Sequence, residues 1–469
     1  MSSFMRNLGP KLLPFADAAS DELPLARLLR LSLFQFAVGM AAVLLTGTLN
    51  RVMIVELGVP ASLVALMIAI PVLAAPMRAF MGHRSDTYRS LLGWRRVPYV
   101  WLGSLLQFGG LAIMPFALLL LHSQTLGPTW IGPLAAMAAF LLTGLGMHLT
   151  QTAGLALATD LASEDTRPRV VALVYVAMLV GMFISSLAFS FLLAEFSPIR
   201  LIQVIQGAAV ATMVINVIAM WKQEARRPEL TKPDRKTPSF AQALALYRSD
   251  PATGRLLLAV AMGSAAFAMQ DVLLEPYGGE VLGLSVSQTT LLTALWSAGS
   301  LLGFALAARV LSRGADMYRL AANGMLIGVI GFCSVIFAEP LASAHLFRAG
   351  AFVIGLGGGL FAVGTLLAAM DIARSSDHGM AIGAWGAVQA TSIGAALAVG
   401  GLVRDGVNGV VASQLGEGVL VAPVAGYSVV YHLEIGLLFA ALVIIGPLVG
   451  HRSTHTRSSE PFGLAELPG

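Results

Sequence analysis

The sequence has little charge and almost no cysteine. Of its 469 residues, 12% are Asp, Glu, Lys or Arg, which is about half of the share found in soluble domains. The single cysteine, Cys333, excludes an intramolecular disulfide. The chain also lacks a Walker A motif, a metal-ligand cluster and a serine-nucleophile motif, so we do not expect an enzyme. The low share of charged residues excludes a soluble fold and favours a chain that buries its apolar surface in lipid.

Long apolar runs account for most of what is present. Hydrophobic residues make up 57% of the chain, and its mean hydropathy is +0.80. Backbone groups in lipid must be paired within the protein, which permits helices or a closed barrel. Unbroken runs of about 20 apolar residues favour helices. The sequence therefore predicts an all-α integral membrane protein with twelve transmembrane helices, at roughly 31–55, 62–81, 97–121, 129–153, 168–194, 199–221, 256–276, 287–310, 318–338, 345–369, 380–403 and 427–450.

The basic residues predict the orientation of these helices. All but four of the 29 Lys and Arg residues fall in the termini or in the connections on one side of the membrane. Positively charged connections are typical of the cytoplasmic side, so we expect both termini to be cytoplasmic in a multi-pass protein. The basic excess is spread over all of these connections and therefore indicates topology. It does not indicate a nucleic-acid partner.

The chain divides into two halves of six helices. The only long polar connection separates them, and short similarities between residues 159–162 and 370–373, and between 50–53 and 270–273, suggest a duplication. We predict five segments: a cytoplasmic N-terminal segment (1–30), a six-helix bundle (31–221), a cytoplasmic linker (222–255), a second six-helix bundle (256–450) and a cytoplasmic tail (451–469).

The predicted loop after helix 2 carries a recognisable pattern. It resembles the signature loop of the major facilitator superfamily, in which a glycine permits a tight turn and an aspartate pairs with arginines to clasp two helix ends. The matching residues are Gly82, Arg84, Asp86, Gly93, Arg95 and Arg96. The resemblance implies the major facilitator fold, in which two pseudo-symmetric bundles face each other across a central cleft.

Ionisable residues within membrane helices are candidates for a functional site because they are costly there. Asp271 and Glu275 lie four residues apart in predicted helix 7, which places them on one helical face. The following Pro276 and paired glycines predict a helix break at that point. The two carboxylates either bind a cation or a proton, or form an interhelical ion pair with Arg51 of helix 1.

Two histidines are candidate ligand-binding residues. His148 lies in predicted helix 4 with Gln151 on the same face, and His432 lies close to Glu434 near the periplasmic end of helix 12. The i, i+2 spacing of His432 and Glu434 directs them to different helical faces. A neutral imidazole either serves as an axial ligand to the magnesium of a chlorophyll-type pigment or takes part in ordinary hydrogen-bonded packing.

Helix 1 and the small residues of helices 8 and 10 show further patterns. Gln35, Gly39, Thr46 and Asn50 form one predicted polar stripe, which either lines the cleft or makes interhelical hydrogen bonds. Small residues spaced four apart let helix backbones approach closely, and we expect such packing at Gly299, Gly303, Ala307, Gly355 and Gly359.

Six strings resemble the PucC/LhaA family, a bacteriochlorophyll delivery family within the major facilitator superfamily. They lie at residues 13–19 (LPFADAA), 47–57 (GTLNRVMIVEL), 82–88 (GHRSDTY), 270–279 (QDVLLEPYGG), 383–387 (GAWGA) and 430–439 (VYHLEIGLLF). Within this family, the resemblance favours the PucC branch, which serves the peripheral antenna.

The resemblance implies an assembly factor for light-harvesting antenna complexes in the inner, intracytoplasmic membrane of purple phototrophic bacteria. It also implies bacteriochlorophyll as cargo, and antenna polypeptides, chlorophyll synthase and the protein insertion machinery as partners besides membrane lipid. It supplies no catalytic or binding residues. The competing hypothesis is a proton-coupled secondary transporter that uses Asp271 and Glu275.

Overall fold

The chain forms long helices over most of its length. The structure, a computed structural model, describes residues 18–19, 23–73, 94, 96–121, 128–163, 166–224, 251–372, 378–415 and 422–449. In chain order, the helices of these residues are α1 (Leu25–Glu56), α2 (Ala61–Leu73), α3 (Val97–Leu121), α4 (Ile131–Leu161), α5 (Arg167–Leu192), α6 (Pro198–Met220), α7 (Thr253–Glu280), α8 (Val286–Ser312), α9 (Met317–Ala338), α10 (Ala344–Ile372), α11 (His378–Leu415) and α12 (Ala422–Ile445). Eleven of them are long and apolar enough to cross a membrane, and α2 is described only as far as Leu73.

Helix packing in the first half is repeated in the second. In the first half α1 packs against α4, α5 and α6, and α3 packs against α4 and α6. In the second half α7 packs against α10, α11 and α12, and α9 packs against α10 and α12. Across the halves, α2 packs against α11 and α5 against α8. Each contact recurs when the helix numbers are shifted by six, which confirms the two pseudo-symmetric bundles. The predicted linker (222–255) and tail (451–469) lie mostly or wholly outside the described residues.

Glycines bring α8 and α10 into backbone contact. A Cβ atom on Gly303 would lie 2.7 Å from the carbonyl oxygen of Leu356, and one on Gly359 would lie 2.7 Å from that of Ser300. Real Cβ atoms do not approach other atoms so closely, so only glycine permits this spacing. The small-residue packing predicted from the sequence is confirmed at these positions.

Several predicted helix boundaries are wrong: α1 begins at Leu25 and not at 31, α4 ends at Leu161 and not at 153, and α11 and α12 differ as well. Helix α11 continues to Leu415 although the apolar run ends near residue 403, and α12 begins at Ala422, before the predicted start at 427. Arg404 and Asp405 interrupt the apolar run but do not end the helix, because both side chains are paired with residues of other helices. A membrane helix can therefore continue beyond its apolar stretch when its charged side chains are paired with residues of other helices.

Helix α1 does not keep a constant helical period. Its turns widen to π-helical geometry over Val43–Leu49 and Val52–Glu56, which rotates later side chains away from the α-helical stripe. Gly39, which precedes these turns, packs against the backbone of α5, whereas Thr46, which lies within them, donates to Ala42 O of its own helix at 2.9 Å. The predicted single face is wrong, and its residues contact different neighbours.

Candidate functional site

A break in α7 forms the centre of the candidate site. The helix narrows to a 3-10 turn over Met269–Val272 and resumes at Leu274–Glu280. Pro276 lacks the N–H that a continuous α-helix would donate to the carbonyl of Val272. Asn50 of α1 supplies a donor instead: its Nδ2 lies 3.2 Å from Val272 O and 3.3 Å from Asp271 O. The first half is thus hydrogen-bonded to the interrupted helix of the second.

The predicted position of this break is wrong by several residues. The sequence places the break at Pro276 and the paired glycines, but these residues lie within the short helix Leu274–Glu280. Proline is tolerated in the first turn of a helix, where its missing N–H needs no partner. Its effect is felt one turn upstream, at the carbonyl of Val272.

The two carboxylates of α7 have different partners. Asp271 is partly buried and accepts a hydrogen bond from the side-chain amide of Gln270. Glu275 is buried, and its Oε1 accepts a hydrogen bond from the hydroxyl of Thr293 of α8. Its Oε2 has no hydrogen-bond partner among the described residues. Because the 3-10 turn ends just before Leu274, the i, i+4 rule does not place the two carboxylates on one face of a continuous helix.

Arg51 forms its ion pair within its own segment. Its guanidinium binds Glu56, and its Nη2 donates to Leu284 O at 3.2 Å. It also interacts electrostatically with Glu275. A Cβ on Gly279 would lie 3.1 Å from Arg51 Nε, so Arg51 passes close to the glycine backbone of α7. Of the two alternatives for the carboxylates, the direct ion pair with Arg51 is not formed between these described residues, although Arg51 does reach α7.

A second ionic cluster lies at the same end of the bundle. Arg404 of α11 binds Glu280 of α7, and its Nη1 lies 2.8 Å from Asp405 Oδ1. The hydroxyl of Tyr427 donates to Glu280 Oε2 at 2.9 Å. The N–H of Ser62, in the first turn of α2, donates to Asp405 Oδ2 at 2.7 Å. This cluster joins α7, α11 and α12 to the first half. No local sequence pattern predicts it.

Glu434 and His432 occupy opposite environments on α12, as their spacing predicts. Glu434 is fully buried, and its carboxylate interacts with Asp271 and with the backbone N–H of Gln270. His432 is exposed, and its Nδ1 lies 2.7 Å from Ser428 O. Because α12 begins at Ala422, His432 lies near the middle of the helix and not near its end as predicted.

The other candidate residues of the first half lie apart from this site. Gln151 Nε2 lies 3.6 Å from Met178 Sδ, and the partly buried His148 accepts a hydrogen bond at its carbonyl from Thr152. Gln35 is fully buried, and its side chain makes no hydrogen bond with any described residue. The structure gathers Asn50, Arg51 and the carboxylates of α7 and α12, and shows no contact that joins them to His148, Gln151 or Gln35.

The predicted signature loop is described only at its end. Gly82, Arg84, Asp86, Gly93 and Arg95 lie outside the described residues. Arg96 Nε lies 3.0 Å from Asp160 Oδ2, at the end of α4. The backbone N–H groups of Arg96 and Val97 donate to Glu224 Oε2 at 3.0 and 2.8 Å, so this carboxylate caps α3. These contacts fasten the ends of α3 and α4 to the segment after α6.

Comparisons with known proteins agree with this architecture. The sequence matches the family described as PUCC protein over residues 48–453. It is 56% identical to an uncharacterized protein in the puhA-bchM intergenic region of Rhodobacter capsulatus, with 97% of each chain covered. It is 55% identical to Protein PucC of Rhodovulum sulfidophilum, with 85% of this chain and 89% of that chain covered. Neither name says which antenna the relative serves, so assignment to the peripheral-antenna branch stays a prediction.

The fold is also found among solved transporters. A bacterial homolog of the human lysosomal transporter Spinster, in an inward-facing and unoccupied conformation, superposes with a TM-score of 0.69 at 14% identity. The match covers 90% of this chain and 95% of that chain. The likeness shows the major facilitator fold. From the family match and the close relatives, we conclude that this multi-pass membrane protein belongs to the PucC family, a membership that supports a role in the photosynthetic antenna pathway.

Proposed function

We propose that the protein is an assembly factor for bacterial light-harvesting antenna complexes and that it binds or delivers bacteriochlorophyll to antenna polypeptides within the membrane. Membership of the PucC family is the observation that carries this proposal. In this proposal both termini are cytoplasmic, the membrane is the inner or intracytoplasmic membrane, and chlorophyll synthase and the protein insertion machinery are neighbouring partners.

The internal polar groups support this function over solute transport. Three polar side chains bind a neighbouring helix, namely those of Asn50, Arg404 and Asp405. Arg51 binds the backbone of the connection between α7 and α8. Side chains used in this way hold the helices in place. An assembly factor needs such a fixed scaffold, while its amphiphilic cargo reaches it sideways from lipid.

The alternative is a proton-coupled secondary transporter. Buried carboxylates favour it, because protonation would neutralise them at membrane depth. Glu434 and Glu275 are both buried, and Glu275 Oε2 has no hydrogen-bond partner within the described part of the chain. In this alternative the two carboxylates and Asp271 carry the proton.

Deletion of the gene, complementation and purification test the two functions. We expect the deletion strain to lose antenna absorption and the intact chain to restore it. Protein purified gently from a pigmented host should carry bacteriochlorophyll or antenna polypeptides. Normal antenna formation in the deletion strain would refute the assembly function. Proton-coupled flux in vesicles, abolished by Asp271→Asn or Glu275→Gln, would establish the transporter instead.

A further inference from the structure

His432 has an unusual position for an ionisable residue of a membrane helix. It lies eight residues into the span Val424–Leu448, or about 12 Å along the helix, which is about one third of the length of the span. Ionisable residues at such depth usually face the bundle interior. In α12 the interior face is occupied by Tyr427, Tyr431 and Glu434, which are all buried, whereas His432 is exposed. Its imidazole therefore faces outward, where lipid would surround the protein.

The hydrogen bond of His432 determines which ring nitrogen is free. Nδ1 lies 2.7 Å from the carbonyl oxygen of Ser428, one turn earlier. A carbonyl oxygen only accepts hydrogen bonds, so Nδ1 carries the proton and Nε2 keeps its lone pair. Metal-binding histidines commonly use this arrangement, in which one nitrogen donates to a backbone carbonyl and the other binds the metal.

The surface around His432 suits a flat apolar ligand. Val429, Leu433 and Phe439 are 44%, 39% and 50% exposed on the same side of α12. Gly436 lies one turn after His432, and a Cβ placed there would have no neighbour within 4 Å. The glycine thus leaves a shallow open area beside the imidazole, bordered by apolar side chains.

A bare metal ion does not fit this surface. Within the described residues, no group of three or more His, Cys, Asp or Glu side chains is arranged to hold a metal ion. A metal bound by His432 must therefore bring its other ligands with it. A metallotetrapyrrole meets this requirement, since its ring supplies four nitrogens and leaves an axial position open.

We infer that His432 is the axial ligand of a magnesium tetrapyrrole that binds on the lipid-facing surface of α12, outside the cleft between the two halves. This inference rests on the proposed function and specifies the site of its cargo. A pigment held there can pass sideways to a membrane-embedded acceptor without crossing the bundle.

Titration of bacteriochlorophyll a into the purified full chain in nanodiscs tests the site. We compare the intact chain with His432→Leu and with His345→Leu as the matched control, since His345 is also an exposed histidine, and follow pigment fluorescence and the absorption band that reports magnesium coordination. We expect saturable binding with one axial ligand. Binding should weaken at least about tenfold in His432→Leu and remain unchanged in His345→Leu. Addition of imidazole to His432→Gly should restore the coordination signal, which a purely structural role would not explain.

Several results would overturn the inference. Equal affinity of the intact chain and His432→Leu would place the pigment elsewhere, as would full binding by Gly436→Leu, whose side chain would fill the open area. Monodisperse elution and an unchanged unfolding temperature exclude misfolding as the cause of any loss. Antenna formation in the complemented deletion strain is scored separately, so loss of this site and loss of the assembly function are distinguishable.

Discussion

Replacement of Asn50 by alanine should destabilise the protein by a predictable amount. The variant removes two hydrogen bonds to the carbonyls of Asp271 and Val272. Interhelical hydrogen bonds in membranes contribute about 0.6 kcal/mol each on average. Because Pro276 cannot donate to Val272 O, this carbonyl is left unpaired, which adds about 1 kcal/mol. Removal of the unpaired Asn50 Oδ1 returns about 1 kcal/mol. We expect a net loss of about 1–2 kcal/mol.

Asn216 of α6 provides a matched control. It is also fully buried, but neither polar atom of its side chain has a hydrogen-bond partner in the described part of the chain. Asn216→Leu removes two unsatisfied atoms and should raise stability by about 1 kcal/mol or more. Thermal unfolding of both purified variants measures the difference. The two variants should therefore differ by about 2–3 kcal/mol, which for a chain of this size corresponds to a few degrees between their midpoints. If Asn216→Leu lowers the midpoint as much as Asn50→Ala does, the assignment of stability to the Asn50 hydrogen bonds is refuted.

Three further changes give distinct expectations. Gly299→Ala should lower the unfolding temperature by a few degrees, because its Cβ would lie 2.9 Å from Leu356 N, and overpacking costs about 1–3 kcal/mol. Gly109→Ala, whose Cβ would have no neighbour within 4 Å, should leave the unfolding temperature unchanged or raise it. A larger decrease in Gly109→Ala than in Gly299→Ala would contradict the packing argument. Asp405→Ala should remove the cap of α2 and destabilise the start of this helix by about 1 kcal/mol. We expect faster amide hydrogen exchange in the first turn of α2. Unchanged exchange there would show that the cap contributes nothing to stability. Glu224→Ala should likewise speed exchange in the first turn of α3 and leave α2 unaffected, whereas equal effects on both helices would indicate general unfolding.

The sequence was informative wherever a signal is local. Apolar run length located the helices, and four-residue spacing of small residues located the close contact between α8 and α10. The similar segments 50–53 and 270–273 of the two halves meet in space, where Asn50 donates to the carbonyl of Asp271. These features depend on periodicity along one helix or on the duplication.

Features that depend on distant partners were not predictable. Glu280 and Arg404 are 124 residues apart, and nothing in their local sequence relates them. No feature of the composition indicates the wide turns of α1. The α-helical period therefore predicts the wrong face for residues after Ala42. One missed signal was readable: a proline in a helix leaves the carbonyl four residues earlier without a donor, which points to Val272.

The hydrogen bonds that join the two halves are concentrated at one end. Among the described residues, Thr48 meets Thr290, Ser190 meets Ser287, and Ser62 meets Asp405 near the predicted periplasmic ends of their helices. Apolar contacts between helices gain little over contacts with lipid tails. The two halves are therefore joined by directional contacts at the predicted periplasmic end. Toward the opposite ends of α5 and α8, the close fit of their side chains takes over that role among the described residues.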